Sequence, residues 1–169
     1  MKAYEVKFSG LKNGIHSFEF EIGKAFFNHF NNGELANHDV EGGELNLTLQ
    51  MEKKETMLLL DFALAGKVFL PCSVCNDRLD WEIESTPRIV GKFSNEELWH
   101  EDDVIHIGSH EHKIDLSELI YQFICLEIPM RVAHDEGKCN SKVLEELEKR
   151  RITESDEADP RWAALKNLK

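Results

Sequence analysis

The sequence predicts an α+β protein in which an antiparallel β-sheet, or a partly closed barrel, carries one packed helix and ends in a helical C-terminal tail. Three observations predict this class. Apolar and polar residues alternate through much of residues 1–90, turn residues separate these runs, and a capped helix with one apolar stripe follows. At 169 residues the chain is long enough to bury a core without disulfide bonds.

The alternation predicts strands with one buried face each. Their apolar positions are Tyr4, Val6 and Phe8, then Phe18, Phe20 and Ile22, then Leu45, Leu47, Leu49 and Met51, then Leu58, Leu60, Phe62 and Leu64, then Leu79, Trp81 and Ile83. Turns at Gly42-Gly43 and Lys53-Lys54 favour an antiparallel meander over alternating βαβ units.

Helical spacing occurs in a few places. Phe26, Phe27 and Phe30 predict a short helix between the second and third runs. The segment DLSELIYQFICLEIP predicts a capped helix on the sheet, with Asp115 and Glu118 as a capping pair and Pro129 as its stop. Its apolar stripe is Leu116, Leu119, Ile120, Phe123 and Ile124. The segment SKVLEELEKRR predicts a further helix supported by an ion pair from Glu145 to Lys149.

These elements divide the chain into residues 1–140, a single α+β domain with a cysteine and histidine site, and residues 141–169, a helical tail. In the tail an acidic linker, ITESDEAD, leads into a short helix that starts with Asp159, Pro160, Arg161 and Trp162. Trp162, Leu165 and Leu168 would form an apolar stripe on it, which we expect to dock on the body, to bind a partner, or to fray.

Acidic side chains outnumber basic ones, and the imbalance lies in the body of the chain. The formal net charge is −12, and residues 1–140 hold 13 Lys and Arg against 25 Asp and Glu, whereas residues 141–169 hold seven of each. Because nucleic-acid binding depends on clustered Lys and Arg, we do not expect the body to bind bare RNA tightly. An acidic surface suits a basic protein partner, or serves simply for solubility.

The start of the chain, MKAYEVKF, lacks the basic and apolar blocks of a signal peptide, and the most apolar run, MLLLDFALAG, is short and carries Asp61. We therefore expect a soluble, cytoplasmic protein without a membrane anchor. In a reducing compartment its four cysteines would be ligands, catalytic thiols or buried residues rather than disulfides.

The cysteines show metal-ligand spacing. Cys72 and Cys75 form a C-x2-C pair, and His134 and Cys139 form an H-x4-C pair just after the capped helix. Four sulfur and nitrogen donors in two turn-like segments are the set that tetrahedral zinc requires, and Pro71 and Gly137 would supply the turns. The sequence predicts one structural zinc that joins the two segments.

Other interpretations of the same residues remain open. Cys72 and Cys75 have the spacing of a redox pair, although thioredoxin-like chemistry requires a helix N-terminus in a βαβ setting. They could also be inert buried thiols, which is how we interpret Cys125.

Elsewhere the chain carries weaker signals. Three histidines beside an acidic run, Glu101 to Asp103, favour a solvated acidic loop over a divalent-ion site. They are His106, His110 and His112. The chain has no phosphate-binding glycine loop, nucleophile elbow or HExxH, so we expect no catalytic residues and no enzyme activity.

Several segments occur in an order typical of one known family. They are PCSVC at 71–75, IDLSELIYQFICLEIP ending in Ile128-Pro129, then His134 and Cys139, and the closing DPRWAALKNL. Over about residues 60–169 the chain thereby resembles the YceD-type family of large ribosomal RNA subunit accumulation proteins. Many members carry Arg before the second cysteine and Leu after it, where this chain has Val74 and Asn76.

The resemblance implies a bacterial, non-catalytic factor needed for normal accumulation of large-subunit ribosomal RNA. Together with the acidic body, it favours an adaptor that binds a basic ribosomal protein, an assembly factor or a large-subunit assembly intermediate. We expect Asp159, Pro160, Arg161 and Trp162 to contribute to partner binding. The alternative function is a thiol-disulfide oxidoreductase that uses Cys72 and Cys75.

Overall fold

A six-stranded sheet forms the centre of the fold. The computed structural model describes residues 1–31, 33, 37, 39–93, 104–108 and 110–151. The strands are β1 (Glu5–Lys7), β2 (Gly14–Ile22), β3 (Gly42–Lys53), β4 (Met57–Pro71), β5 (Arg78–Ser85), β6 (Arg88–Phe93), β7 (Val104–Ile107) and β8 (Lys113–Asp115). The helices are α1 (Lys24–Phe30), α2 (Ser117–Leu126) and α3 (Ser141–Arg150), and a short 3-10 turn spans Lys2–Tyr4.

Strand β4 organises the sheet because it is 15 residues long and bonds to three other strands. It pairs with β3 along its length, with β6 over Met57–Asp61, and with β5 over Leu64–Pro71. Strand β2 pairs with the far side of β3, and β7 adds to β6. All pairings are antiparallel except β6–β7, and β1 and β8 form a separate two-stranded sheet.

The core lies on one face of the sheet. Alternate residues of β3 and β4 are buried there, while the opposite face of these strands carries polar or small residues such as Asn46, Gln50 and Ala63. Helices α1 and α2 contribute aromatic side chains to this core: the rings of Phe30 and Tyr121 stack with their centroids 4.4 Å apart. Burial of this apolar surface is the main stabilising contribution to such a fold.

The predicted α+β class is confirmed, and the strands of the described residues form no closed barrel. The expected turn at Lys53-Lys54 is present, since Lys54 N donates to Met57 O at 2.9 Å. The expected turn at Gly42-Gly43 is wrong, because both glycines begin β3. A Cβ atom at Gly43 would lie 2.7 Å from Lys67 O and 2.9 Å from the Phe27 ring, so this position needs glycine for close packing.

Two local predictions about helix ends need correction. The predicted bond to Asp115 is confirmed, since its Oδ1 accepts from Ser117 N at 2.9 Å, but α2 begins at Ser117 with Leu116 as its N-cap, one residue later than a cap at Asp115 implies. In α3, Lys149 pairs with Glu146 at 2.8 Å rather than with Glu145. The apolar stripe of α2 also includes Tyr121, which is buried and was absent from the predicted stripe.

Several predicted features lie outside the described residues. They are the acidic run 101–103, the acidic linker, and the tail helix with Asp159, Pro160, Arg161, Trp162, Leu165 and Leu168. None of the helices in the described part of the chain has both the length and the apolar character needed to cross a bilayer.

Candidate metal centre

Two segments that are distant in sequence meet at one end of the long β4–β5 hairpin. Cys72 and Cys75 lie in the turn that joins β4 to β5, between Pro71 and its strand partner Arg78. His134 and Cys139 lie in the segment between α2 and α3. The hairpin turn and the segment after α2 are therefore the parts that the sequence predicted to meet.

The hairpin turn directs both of its cysteines inward. Asn76 N donates to Cys72 O and Cys72 N donates to Asp77 O, each at 2.9 Å, which closes the turn around the pair. Asn76 has a φ of 61°, a left-handed conformation that asparagine tolerates better than most residues. The predicted turn residue Pro71 instead ends β4, so Asn76 supplies the special backbone geometry. Cys72 and Cys75 are only 2% and 5% exposed.

The second pair is held by a turn and by the start of a helix. Gly137 has a φ of 81°, and Lys138 N donates to Asp135 O at 2.9 Å, so the chain reverses between His134 and Cys139. The next residue, Asn140, caps α3 by accepting a bond from Lys142 N at 3.2 Å. Cys139 is thus fixed between a tight turn and a helix N-terminus.

Hydrogen bonds join the two segments directly, without any contribution from the four ligand side chains. Ser73 N donates to Val132 O at 2.8 Å, and Val132 N donates to Ser73 Oγ at 3.2 Å. Asn140 Nδ2 donates to Asp77 Oδ2 at 3.1 Å on the other side of the cluster. These contacts hold the donor atoms in place from both flanks.

The four donor atoms converge. They all lie within 4.8 Å of one another. The Sγ atoms of Cys72 and Cys139 are 3.8 Å apart, and His134 Nδ1 is 3.4 Å from Cys75 Sγ and 3.9 Å from Cys139 Sγ. With a Zn–S bond of about 2.3 Å and a Zn–N bond of about 2.0 Å, a tetrahedral shell has edges of roughly 3.5–3.8 Å, and these three distances lie close to that range.

The orientation of the histidine also suits a metal ligand. His134 Nε2 lies 3.2 Å from the carbonyl oxygen of Arg78, and a carbonyl can only accept. This contact places a proton on Nε2, so in the neutral ring Nδ1, which faces the sulfur atoms, carries the lone pair that a metal ion would use. A backbone bond of this kind fixes the tautomer of metal-binding histidines.

The acid–base properties of the thiols differ although they share one cluster. Burial opposes ionisation of Cys72, but hydrogen bonds from the backbone at Cys75 and Val74 outweigh it and lower the pKa of this thiol to about 5. Burial, and then contact with Cys72 and Cys75, raise the pKa of the Cys139 thiol to about 11. Contact with the Cys72 thiol also raises the pKa of His134. The cluster favours one thiolate and resists the next, as expected for like charges without a cation.

The remaining predicted residues do not join this cluster. Cys125 is half-buried at the edge of the core, and burial raises the pKa of its thiol, in agreement with a packing role. His106 lies in β7, while His110 and His112 are exposed. Among the described residues, the Cys72, Cys75, His134 and Cys139 group is the one His, Cys and carboxylate cluster that could hold a metal ion.

The sequence reasoning missed the residues that support the cluster. The Arg78 carbonyl, Ser73 and Asp77 act through contacts to residues more than fifty positions away, which no local pattern reveals. Asn76 is the supporting residue that the sequence could have indicated, because asparagine directly after a C-x2-C pair often adopts the left-handed backbone conformation that a turn requires.

Comparison with known proteins identifies the family. Residues 60–169, more than half of the chain, match the family described as large ribosomal RNA subunit accumulation protein YceD. An uncharacterized protein of Bacillus subtilis (strain 168), YlbN, is 30% identical over 125 residues, which cover 68% of each chain. No solved structure matches. The matched segment contains all four donor residues, and the chain belongs to the YceD family of large ribosomal RNA subunit accumulation proteins.

Proposed function

We propose that this chain is a cytoplasmic, non-catalytic ribosome-biogenesis factor that supports accumulation of large-subunit ribosomal RNA. It acts as an adaptor that binds a basic ribosomal protein, an assembly factor or a precursor ribonucleoprotein. The observation that carries the proposal is the family match over residues 60–169, which includes the C-x2-C hairpin, α2 and the H-x4-C segment.

The Cys72, Cys75, His134 and Cys139 cluster holds one structural zinc in this proposal. The donor set, the spacing of the donor atoms and the Nε2 bond of His134 all support it. A bound zinc would complete its shell with four protein ligands and would stabilise the junction between the β4–β5 hairpin and the segment before α3. The residues supply ligation and positioning only, so no reaction is assigned to the site.

The thiol-disulfide oxidoreductase alternative is not favoured. The low pKa of Cys72 would suit a reactive thiolate as well as a metal ligand. However, Cys72 is 2% exposed and lies in a turn between antiparallel strands rather than at a helix N-terminus. A substrate disulfide would not reach this sulfur without opening the hairpin turn.

The charge of the chain indicates the class of partner. Residues 1–140 carry nearly twice as many acidic as basic side chains, which repels a polyphosphate backbone and attracts a basic protein. Association with such a partner would be fast and would weaken as salt screens the charges.

Affinity capture from a lysate, with and without ribonuclease, tests this proposal. The wild-type chain should capture a basic large-subunit ribosomal protein or assembly factor, and the capture should survive ribonuclease but fall steeply as salt rises. Cys125→Ser serves as the matched control bait, because it removes a thiol outside the cluster. Recovery of no ribosomal component, or trapping of mixed disulfides by Cys75→Ser, would contradict the proposal.

A further inference from the structure

The free edge of β2 is the longest exposed strand edge in the described part of the chain. β2 pairs with β3 through all nine of its residues without a bulge, and its other edge pairs with no described strand. It contains neither proline nor lysine, which are common devices for protecting a strand edge. The other outer strands are shorter: β7 has four residues and β5 has eight.

The direction of the backbone groups on this edge follows from the hairpin β3–β4. Lys54 N bonds to Met57 O, so the even residues of β3 direct their backbone groups toward β4 and the odd ones toward β2. In β2, the even residues then pair with β3 and the odd residues face outward. Glu21 agrees with this, because its carbonyl accepts the Tyr4 hydroxyl from outside at 2.9 Å.

The outward-facing residues Ile15, Ser17 and Glu19 have no hydrogen-bond partner for their backbone groups among the described residues. Because the Tyr4 hydroxyl already occupies the Glu21 carbonyl, the free edge runs from Ile15 to Glu19 and offers about 14 Å for an added strand. These unpaired N–H and C=O groups specify an extended polypeptide as the ligand, since an added strand would satisfy them in register.

The side chains along β2 specify the chemistry of that polypeptide. Glu19 and Glu21 lie on the solvent face of the sheet, are exposed, and form no ion pair with any described residue. Phe18 and Phe20 lie on the opposite face, half-buried against the core. A complementary strand would therefore alternate basic residues, opposite the glutamates, with apolar residues beside the phenylalanines.

We propose that the β2 edge binds an extended segment of a basic protein that alternates Lys or Arg with apolar residues, by strand addition. A second copy of this chain is a poorer occupant, because β2–β2 pairing would place the glutamates of both copies on one face. The inference rests on the proposed function in one respect: it assigns the surface by which the proposed adaptor would hold its basic partner.

The proposal is tested with a synthetic peptide as long as β2 in which lysine and valine alternate. The control peptide has the same composition, but all its lysines come first and all its valines follow. Amide hydrogen exchange and NMR titration of the full chain should show protection at Ile15, Ser17 and Glu19 with the alternating peptide only. Protection elsewhere, equal binding of the block peptide, or protection of these amides already in the free protein would overturn it.

Two test variants, each with a matched control variant, separate the backbone and charge contributions to binding. Ser17→Pro removes one outward N–H and should weaken binding about tenfold, whereas Ser17→Ala keeps that N–H and should bind like the wild type. Glu19→Lys plus Glu21→Lys should weaken binding by at least about tenfold at low salt. Glu84→Lys plus Glu145→Lys makes the same change in net charge on β5 and α3, away from β2, and should have little effect.

Equal weakening by both charge variants would overturn the proposal, because it would reduce the interaction to non-specific attraction. These peptide measurements do not depend on ribosome assembly. A failure here would therefore leave the proposed function standing, and an unchanged subunit profile in depleted cells would leave the peptide result standing.

Discussion

Cys139 is the proposed ligand whose loss is most informative, because it reaches the cluster from outside the sheet. Its Sγ lies 3.8 Å from that of Cys72, and no strand holds it. Cys139→Ser should abolish or greatly reduce zinc binding, since a neutral hydroxyl is a far weaker ligand than a thiolate. Native mass spectrometry should find one zinc per chain in the wild type and in the control Cys125→Ser. An equal zinc content in Cys139→Ser would contradict the assignment.

The thiol of Cys139 also predicts how zinc binding depends on pH. Burial and the neighbouring thiols raise its pKa to about 11, so in the metal-free protein it is protonated across the neutral range. Zinc must displace that proton to bind the thiolate. The loss of this one proton should therefore make the affinity for zinc rise about tenfold for each unit by which the pH increases. Calorimetry in buffers of different ionisation enthalpy should detect the proton released. A pH-independent affinity would be the contrary result.

At this scale the sequence predicted the four residues that the fold brings together, but not the orientation of their side chains. The residue types and the short spacing within each pair, Cys72 with Cys75 and His134 with Cys139, predict both the kind of ligand and a turn in each segment. The tautomer of His134 depends on the Arg78 carbonyl, 56 residues away, and only the tertiary fold brings the two together.

Among the elements, β3 tests how tightly the sheet packs on α1. Gly43→Ala would force a methyl group to within 2.7 Å of Lys67 O and 2.9 Å of the Phe27 ring. We expect a loss of about 1–3 kcal/mol in the free energy of unfolding, measured by urea denaturation. Gly108→Ala is the matched control, because the nearest side-chain atoms, those of Glu111, would lie 3.7 Å or more from the added methyl group. Similar stabilities for the two variants would contradict this packing.

The sequence predicted best those elements whose alternation is long and regular. β2, β3, β4 and β5 were found in this way, whereas α1, α2 and α3 were found from the helical spacing of their apolar residues. β7 and β8 have only four and three residues, too few for a period-2 pattern to show. β6 was missed because Ile89 and Gly91 are its buried positions, and glycine hides the alternation. The parallel pairing of β6 with β7 depends on a connection that local patterns do not describe.

For the whole molecule, the proposed zinc would join two segments that are far apart in sequence: Cys75 and His134 are separated by 59 positions, and Cys72 and Cys139 by 67. Removing zinc with a chelator should therefore lower the melting temperature, by at least about 5 °C. Cys72→Ser plus Cys75→Ser should start from the lower value and respond little to the chelator. A wild-type chain that melts at the same temperature with and without chelator would argue against a structural zinc.

The central claim, a role in large-subunit biogenesis, is tested most directly by sucrose-gradient profiling of ribosomes from a depletion strain. Depletion should lower free large subunits and large-subunit ribosomal RNA, and the wild-type chain should restore them. Rescue by Cys72→Ser plus Cys75→Ser should be incomplete, because the metal site would be lost, while the control Cys125→Ser should rescue fully. A subunit profile that does not change on depletion would contradict the claim.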